Sequence, residues 1–93
     1  MATMDLDTRA ALERLIGIAQ GDTGQSRQVA DLLLAWYNAG ENGGFDFTNF
    51  WAIDDALVAD SLRLITWISR NRAYPDELGY GDQFKIIWKV WRG

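Results

Sequence analysis

The chain has no cysteine and no histidine. Without cysteine it forms no disulfide framework, no thiolate zinc site and no cysteine nucleophile. Without histidine it lacks the commonest general base and the commonest metal ligand. Its apolar runs are far shorter than the roughly 20 residues that span a bilayer, and its N-terminus lacks the basic and apolar regions of a secretory signal. We therefore expect a cytoplasmic protein with no membrane association, no metal and no other cofactor.

What the chain does have is apolar and aromatic mass. Hydrophobic residues make up 48% of its 93 residues, and five of these residues are tryptophan. That content is enough for one compact core and excludes intrinsic disorder. The sequence therefore predicts a single domain over residues 1–93, in which the core uses three or four tryptophans and the rest lie at the surface.

Charge is divided unevenly along the chain. The net charge is −4, but residues 1–60 carry −7 and residues 61–93 carry +3. Nucleic-acid-binding domains are usually basic, so the overall charge disfavours that class. The acidic front half favours a partner with a basic surface.

Apolar residues recur at helical spacing in four segments, and no segment has the alternation of a strand. The helices are predicted from about Asp7 to Gln20, from Thr23 or Ser26 to about Asn38, from about Thr48 to Arg72 with a break near Asp54 and Asp55, and from about Asp82 to Trp91. Asp5 or Asp7, Thr23 or Ser26, and Asp46 or Thr48 are the expected N-caps. The predicted fold is therefore all-α, with four or five short helices around one core.

The same periodicity predicts which side chains are buried. In the third segment it predicts a core stripe of Leu57, Val58, Leu62, Ile65 and Ile68, widened by Leu64 and Trp67. In the final helix it predicts Phe84, Ile87, Trp88 and Trp91 on one face. Across the chain the predicted core is Leu15, Leu33, Trp36, Leu57, Leu62, Ile65 and Trp88.

Carboxylates are the only plausible catalytic groups, and their spacing does not favour catalysis. Asp54 and Asp55 are adjacent, so on a helix they diverge by about 100° and do not meet at one substrate atom. The acids beside the glycine-rich loops do not match the twelve-residue calcium loop. We interpret them as helix caps and solvated loop residues, and we expect no catalytic residue and no enzyme.

The best candidates for binding lie in loops and beside an exposed aromatic ring. The loops 40–46 and 74–82 are rich in glycine and should lie at the surface, where loops often carry function. Their candidate residues are Glu41, Asp46, Asp76 and Tyr80. Trp51 or Trp67 is the expected aromatic anchor beside Asp54, Asp55 and Asp60. This pattern predicts stoichiometric binding to a protein partner with a basic surface, by a monomer or small homo-oligomer.

An alternative interpretation uses the C-terminal helix. Lys85, Lys89 and Arg92 follow one another at helical spacing and form a basic stripe. Such a stripe can lie along phosphates. Under this hypothesis the protein is a nucleic-acid-binding accessory.

Four strings between Gly21 and Arg92 resemble a small bacterial family. They are Gly21–Arg27, Leu34–Trp36, Gly43–Asp46 and Tyr74–Gly81, of which the last is the most distinctive. Members of that family are uncharacterised proteins found on plasmids, integrative conjugative elements and related mobile DNA. The resemblance covers about three-quarters of the chain. It implies a mobile-element context but no known activity. In that context, the small size and acidic charge of the chain fit an inhibitor of the anti-CRISPR or another counter-defence type.

Overall fold

The computed structural model describes residues 3–93, and within that range every regular element is a helix. The α-helices are α1 (Leu6–Ala19), α2 (Gly24–Asn42), α3 (Asp55–Arg70) and α4 (Gly81–Arg92), and the 3-10 helices are Phe47–Ala52 and Pro75–Leu78. The all-α prediction is confirmed. None of these helices is both long and apolar enough to cross a bilayer.

Helix α1 lies at the centre of the packing and contacts α2, α3 and α4. Its buried face includes Ala11, Leu12, Leu15 and Ala19, which are all inaccessible to solvent. Small side chains such as Ala11 and Ala19 allow neighbouring helices to approach closely, and the leucines fill the space between them. One amphipathic helix therefore supplies a packing surface for the other three.

Side-chain caps begin three of the helices, and each cap resolves one of the alternatives left by the sequence. Asp5 caps α1 by accepting from the Thr8 N–H at 3.1 Å. Thr23 caps α2 by accepting from the Ser26 N–H at 3.0 Å. Asp46 caps the first 3-10 helix by accepting from the Thr48 N–H at 2.9 Å. Each bond satisfies a backbone donor that has no partner within its own helix.

The predicted break in the third segment is present. The first 3-10 helix ends at Ala52, and α3 begins at Asp55. Between them the Ile53 side chain is buried, and the Asp54 N–H donates to Gln25 Oε1 at 2.7 Å. The break thus docks the start of α3 against the start of α2.

The predicted core stripe of α3 is wrong at Leu62, which is 50% exposed, and incomplete at Ile65, which is half-buried. The buried positions are Leu57, Ser61, Leu64 and Trp67. A serine occupies the middle of this stripe, where its hydroxyl donates to the Leu57 carbonyl at 2.7 Å. Because that bond satisfies the hydroxyl internally, a polar residue lies in the core and shifts the apparent stripe towards Leu62.

Two tryptophans are also less buried than predicted. Trp88 is 42% exposed, although Phe84 and Ile87 on the same helix are fully buried. Trp36 is half-buried and packs against the edge of the core. Helix α4 buries a narrower face than predicted, since Trp88 lies about 100° around the helix from Ile87.

The α3 correction can be tested by comparing Leu64→Ala with Leu62→Ala. Leu64 is 1% exposed, so its truncation should lower the free energy of unfolding by about 2–5 kcal/mol. Leu62→Ala should cost less than about 1 kcal/mol, because half of that side chain already contacts water. Urea denaturation measures both changes, and equal losses would contradict the burial pattern.

The cap at Asp5 makes stability depend on pH. Hydrogen bonds from the Thr8 side chain and backbone hold the pKa of Asp5 below its usual value of 3.8. A carboxyl with a lowered pKa in the folded state stabilises the fold above its unfolded pKa and loses that contribution as the pH falls through the folded value. The stability difference between the native chain and Asp5→Ala should therefore be constant between about pH 5 and 7 and shrink below about pH 4. Denaturation at several pH values measures it, and a difference that grows in acid would contradict this role.

Candidate functional site

An open groove of about 790 Å³ lies between the C-terminal part of α2, the second 3-10 helix and α4. We call it the α2–α4 groove. Its lining includes Trp36, Glu41, Tyr74, Asp76, Lys85 and Trp88. Glu41 and Asp76 were predicted as binding residues in separate loops, and the fold brings both to this one surface.

A kink in α2 shapes one side of the α2–α4 groove. Asn38 has φ −166° and ψ 87°, which is extended backbone, so the helix is interrupted there. The Asn38 side chain accepts from the Glu41 N–H at 3.3 Å and so begins a final helical turn. This turn carries Glu41 to the rim of the groove. The predicted end of the helix at about Asn38 matches the kink, while α2 as a whole continues to Asn42 and is followed by Gly43, whose φ is 90°.

The kinked turn is tied to the rest of the fold by Asn42 and Arg92. The buried Asn42 amide donates to the Leu34 carbonyl at 3.2 Å, across the kink. Arg92 donates to the Asn42 carbonyl at 3.1 Å and to Asp31 Oδ1 at 2.7 Å. These bonds join the end of α4 to α2, the two helices that line most of the groove.

Aromatic rings form much of the groove lining. The Trp36 indole N–H donates to the Ala73 carbonyl at 3.0 Å, and its ring meets Phe84 edge-on with centroids 5.8 Å apart. Trp36 is therefore held in one orientation. Tyr74 and Trp88 remain substantially exposed beside it. The groove thus combines one fixed ring with two rings that are open to a ligand.

A second candidate surface is the acidic–aromatic segment, residues 46–55. Trp51 is 86% exposed, and Phe47, Asp54 and Asp55 are also exposed. Phe50 anchors this segment, since it packs against the core. The Phe45 ring links Phe50 to Phe47, with centroids 5.0 and 6.3 Å away respectively. The structure thus presents Trp51 as the exposed aromatic ring near Asp54 and Asp55.

Two of the predicted anchor residues do not belong to this surface. Trp67 is 7% exposed and lies in the core, so the alternative that placed the anchor at Trp67 is wrong. Asp60 forms a two-pronged ion pair with Arg14, with both nitrogen to oxygen distances at 2.9 Å. That pair joins α3 to α1, and the carboxylate is therefore committed within the protein.

Asp46 is exposed but caps its own helix, and hydrogen bonds from the Thr48 backbone and side chain lower its pKa.

Tyr80 is buried, so its predicted place on a surface loop is wrong. Its hydroxyl donates to Glu13 at 2.6 Å and accepts from Arg9 at 2.8 Å, both on α1. Burial and then the Glu13 bond raise the pKa of Tyr80. The preceding Gly79 has φ 93°, a left-handed conformation that turns the chain inward at this point. The tyrosine therefore anchors the start of α4 to α1.

The sequence interpretation placed Tyr74 in a surface loop but did not name it as a binding residue, and it assigned Trp88 to the core. Tyr74 precedes Pro75, which favours extended backbone, and this was a usable signal for an outward-facing ring. Trp88 gave no such signal, because its spacing from Phe84 is that of a core residue. Lys85 was noted only as part of the basic stripe.

The opposite hydrogen-bonding roles of Asn38 and Asn42 give a direct test of the kink. Asn42→Asp removes the donor to the Leu34 carbonyl and should lower the free energy of unfolding by about 1–3 kcal/mol. Asn38→Asp keeps the acceptor for the Glu41 N–H, so its effect should be smaller. Urea denaturation at neutral pH compares the two, and an equal or reversed order would contradict the assigned bonds.

Comparison with known proteins identifies a family but no activity. No curated protein and no solved structure gives a significant match to the chain. Within residues 3–93 no group of three or more acidic side chains is arranged to hold a metal ion. The model of DUF7673, described as a family of unknown function, matches residues 9–92 and so spans both candidate surfaces. The chain therefore belongs to the DUF7673 family, as its resemblance to an uncharacterised family led us to expect.

Proposed function

We propose that this protein acts without catalysis, by stoichiometric binding of its acidic–aromatic segment to a basic surface of a partner protein. The observation that supports this most directly is the 86% exposure of Trp51, close in the chain to the exposed Asp54 and Asp55. A large ring in water is unfavourable unless a partner covers it, and tryptophan is the side chain most enriched among binding hot spots. The segment therefore has the composition of an anchor within a charged rim.

The charge distribution supports a basic partner. Residues 1–60 carry a net charge of −7, and Asp54 and Asp55 have no ion pair among the described residues. Unpaired surface carboxylates accelerate the encounter with a positive surface, and salt screens that effect. Charge alone gives little residence time, so burial of the Trp51 ring supplies the slow dissociation.

The biological setting that we propose is bacterial mobile DNA, with the protein acting in the cytoplasm as an inhibitor of host defence such as CRISPR. The sequence resemblance supports the setting. The small size and the acidic front half support the mechanism, because nucleic-acid-binding enzymes have basic surfaces that an acidic protein can occupy.

The structure weakens the case for the alternative, a nucleic-acid-binding C-terminal helix. Arg92 is bonded to Asp31 and to the Asn42 carbonyl, so its charge is largely compensated. Of the predicted stripe, only Lys85 and Lys89 remain without an ion pair among residues 3–93. Two exposed lysines supply little counterion release, and this is the main source of non-specific binding to nucleic acid.

The partner can be identified and the surface tested in one series. The native chain serves as bait in a lysate of the host bacterium, with and without nuclease, and the association rate of the recovered partner is measured against salt concentration. Asp54→Asn with Asp55→Asn should slow association and flatten its salt dependence. Trp51→Ala should instead raise the dissociation rate by about 10-fold or more, the usual effect of removing a hot-spot ring.

Matched controls separate these effects from charge number and from exposed apolar area. Asp7→Asn with Asp22→Asn changes the net charge equally at exposed sites outside the segment, and Leu6→Ala removes another exposed apolar side chain. Both controls should bind the partner as the native chain does. Unchanged binding by the Trp51 variant, or capture that depends on intact nucleic acid, would refute the proposal.

A further inference from the structure

We propose that the α2–α4 groove binds an arginine side chain of a partner polypeptide. This site is distinct from the acidic–aromatic segment, and the inference holds whether or not that segment binds a partner. It rests on three observations: the aromatic lining of the groove, the balance of charges around it, and its size.

The aromatic lining suits a guanidinium group. Tyr74 and Trp88 line the groove and are substantially exposed, and the half-buried Trp36 also lines it, held in orientation by its bond to the Ala73 carbonyl. The face of an aromatic ring attracts a cation, and it does so best for tryptophan. Guanidinium is planar and weakly hydrated, so it stacks on such rings more readily than an ammonium group does.

The charges around the groove favour a cation over an anion. Glu41 and Asp76 line it together with a single lysine, Lys85. The ion pairs among residues 3–93 are Arg14–Asp60 and Arg92–Asp31, so none of these three groups is neutralised by an internal partner. Two carboxylates are thus available to accept from the guanidinium fork. Lys85 repels the same cation, so removing its charge should strengthen binding where removing either carboxylate weakens it.

The size and rigidity of the groove favour an arginine that belongs to a polypeptide over free arginine. A groove of about 790 Å³ lies within the range of roughly 300–1,000 Å³ that encloses drug-sized ligands, and one arginine side chain fills only part of it. The remaining space, open to the surface, accommodates the main chain on either side of the arginine. The Asn42 and Arg92 bonds hold the walls in place before binding, which reduces the entropic cost of association.

The test uses the five indole N–H resonances of the full-length protein labelled with ¹⁵N. The probe is the capped peptide acetyl-Gly-Arg-Gly-amide, and its matched comparisons carry Gln or Glu in place of Arg. The arginine peptide should shift the Trp88 resonance with saturation at millimolar concentration, while Trp51 serves as the internal reference outside the groove. The Gln and Glu peptides should leave Trp88 unchanged.

Single substitutions then test the charge assignment. Glu41→Gln and Asp76→Asn should each weaken binding of the arginine peptide by roughly two- to five-fold, the effect of losing a partly exposed charge contact. Lys85→Gln should tighten it by a similar factor. Asp22→Asn controls for net charge and should change nothing. All four positions are on the surface, and the dispersion of the amide spectrum confirms folding.

Several results would overturn the inference. One is the absence of a Trp88 shift up to about 20 mM arginine peptide, since binding weaker than that is negligible. Another is an equal response to the Glu peptide, or an equal shift of Trp51. Weaker binding of the arginine peptide after Lys85→Gln would contradict the charge assignment, and a saturable Trp88 shift with the Glu peptide alone would indicate an anionic ligand instead.

Discussion

The packing of α1 against the other three helices is the constraint on which the rest of the structure depends. Because α1 is the common neighbour, its face of alanines and leucines packs against α2 and α3, and to a smaller extent against α4, which packs mainly on α2. Polar contacts reinforce the same arrangement from outside the core. Asp60 of α3 reaches Arg14, and Tyr80 at the start of α4 reaches Arg9 and Glu13. All three partners lie on α1, so this one helix sets both the apolar and the polar connections.

This arrangement leaves aromatic rings outside the core in two places. Trp67 fills the space beside α1, and the Trp91 indole donates to the Ala19 carbonyl at 2.7 Å. Trp51 and Trp88 are instead exposed to solvent. Each of these lies beside acidic residues, in the acidic–aromatic segment and in the α2–α4 groove respectively. Two exposed surfaces that combine aromatic rings with carboxylates therefore lie outside one small core.

Helical period and capping residues were enough to predict the fold class, the approximate helices and the break before α3. They were not enough to predict which face of α3 is buried, because Ser61 occupies a core position that periodicity assigns to an apolar residue. The α2–α4 groove also could not be predicted from the sequence. Glu41 and Asp76 are far apart in the chain, and they reach one surface through the kink at Asn38 and through the packing of α4 against both α2 and the second 3-10 helix. Exposure of Trp51 was predicted as one of two alternatives, and the packing of Trp67 decides between them.

The tie at Asn42 also bears on the chemical durability of the protein. Asparagine followed by glycine is prone to deamidation, since the glycine nitrogen can attack the side-chain amide to form a succinimide. Here the Asn42 amide is bonded to the Leu34 carbonyl, and the Gly43 N–H is bonded to the Ala39 carbonyl at 3.0 Å. Both reacting groups are therefore engaged while the chain is folded. The deamidation rate of Asn42 therefore reports how often the end of α2 opens. Each conversion of Asn42 to aspartate removes the bond to the Leu34 carbonyl that had kept this end closed.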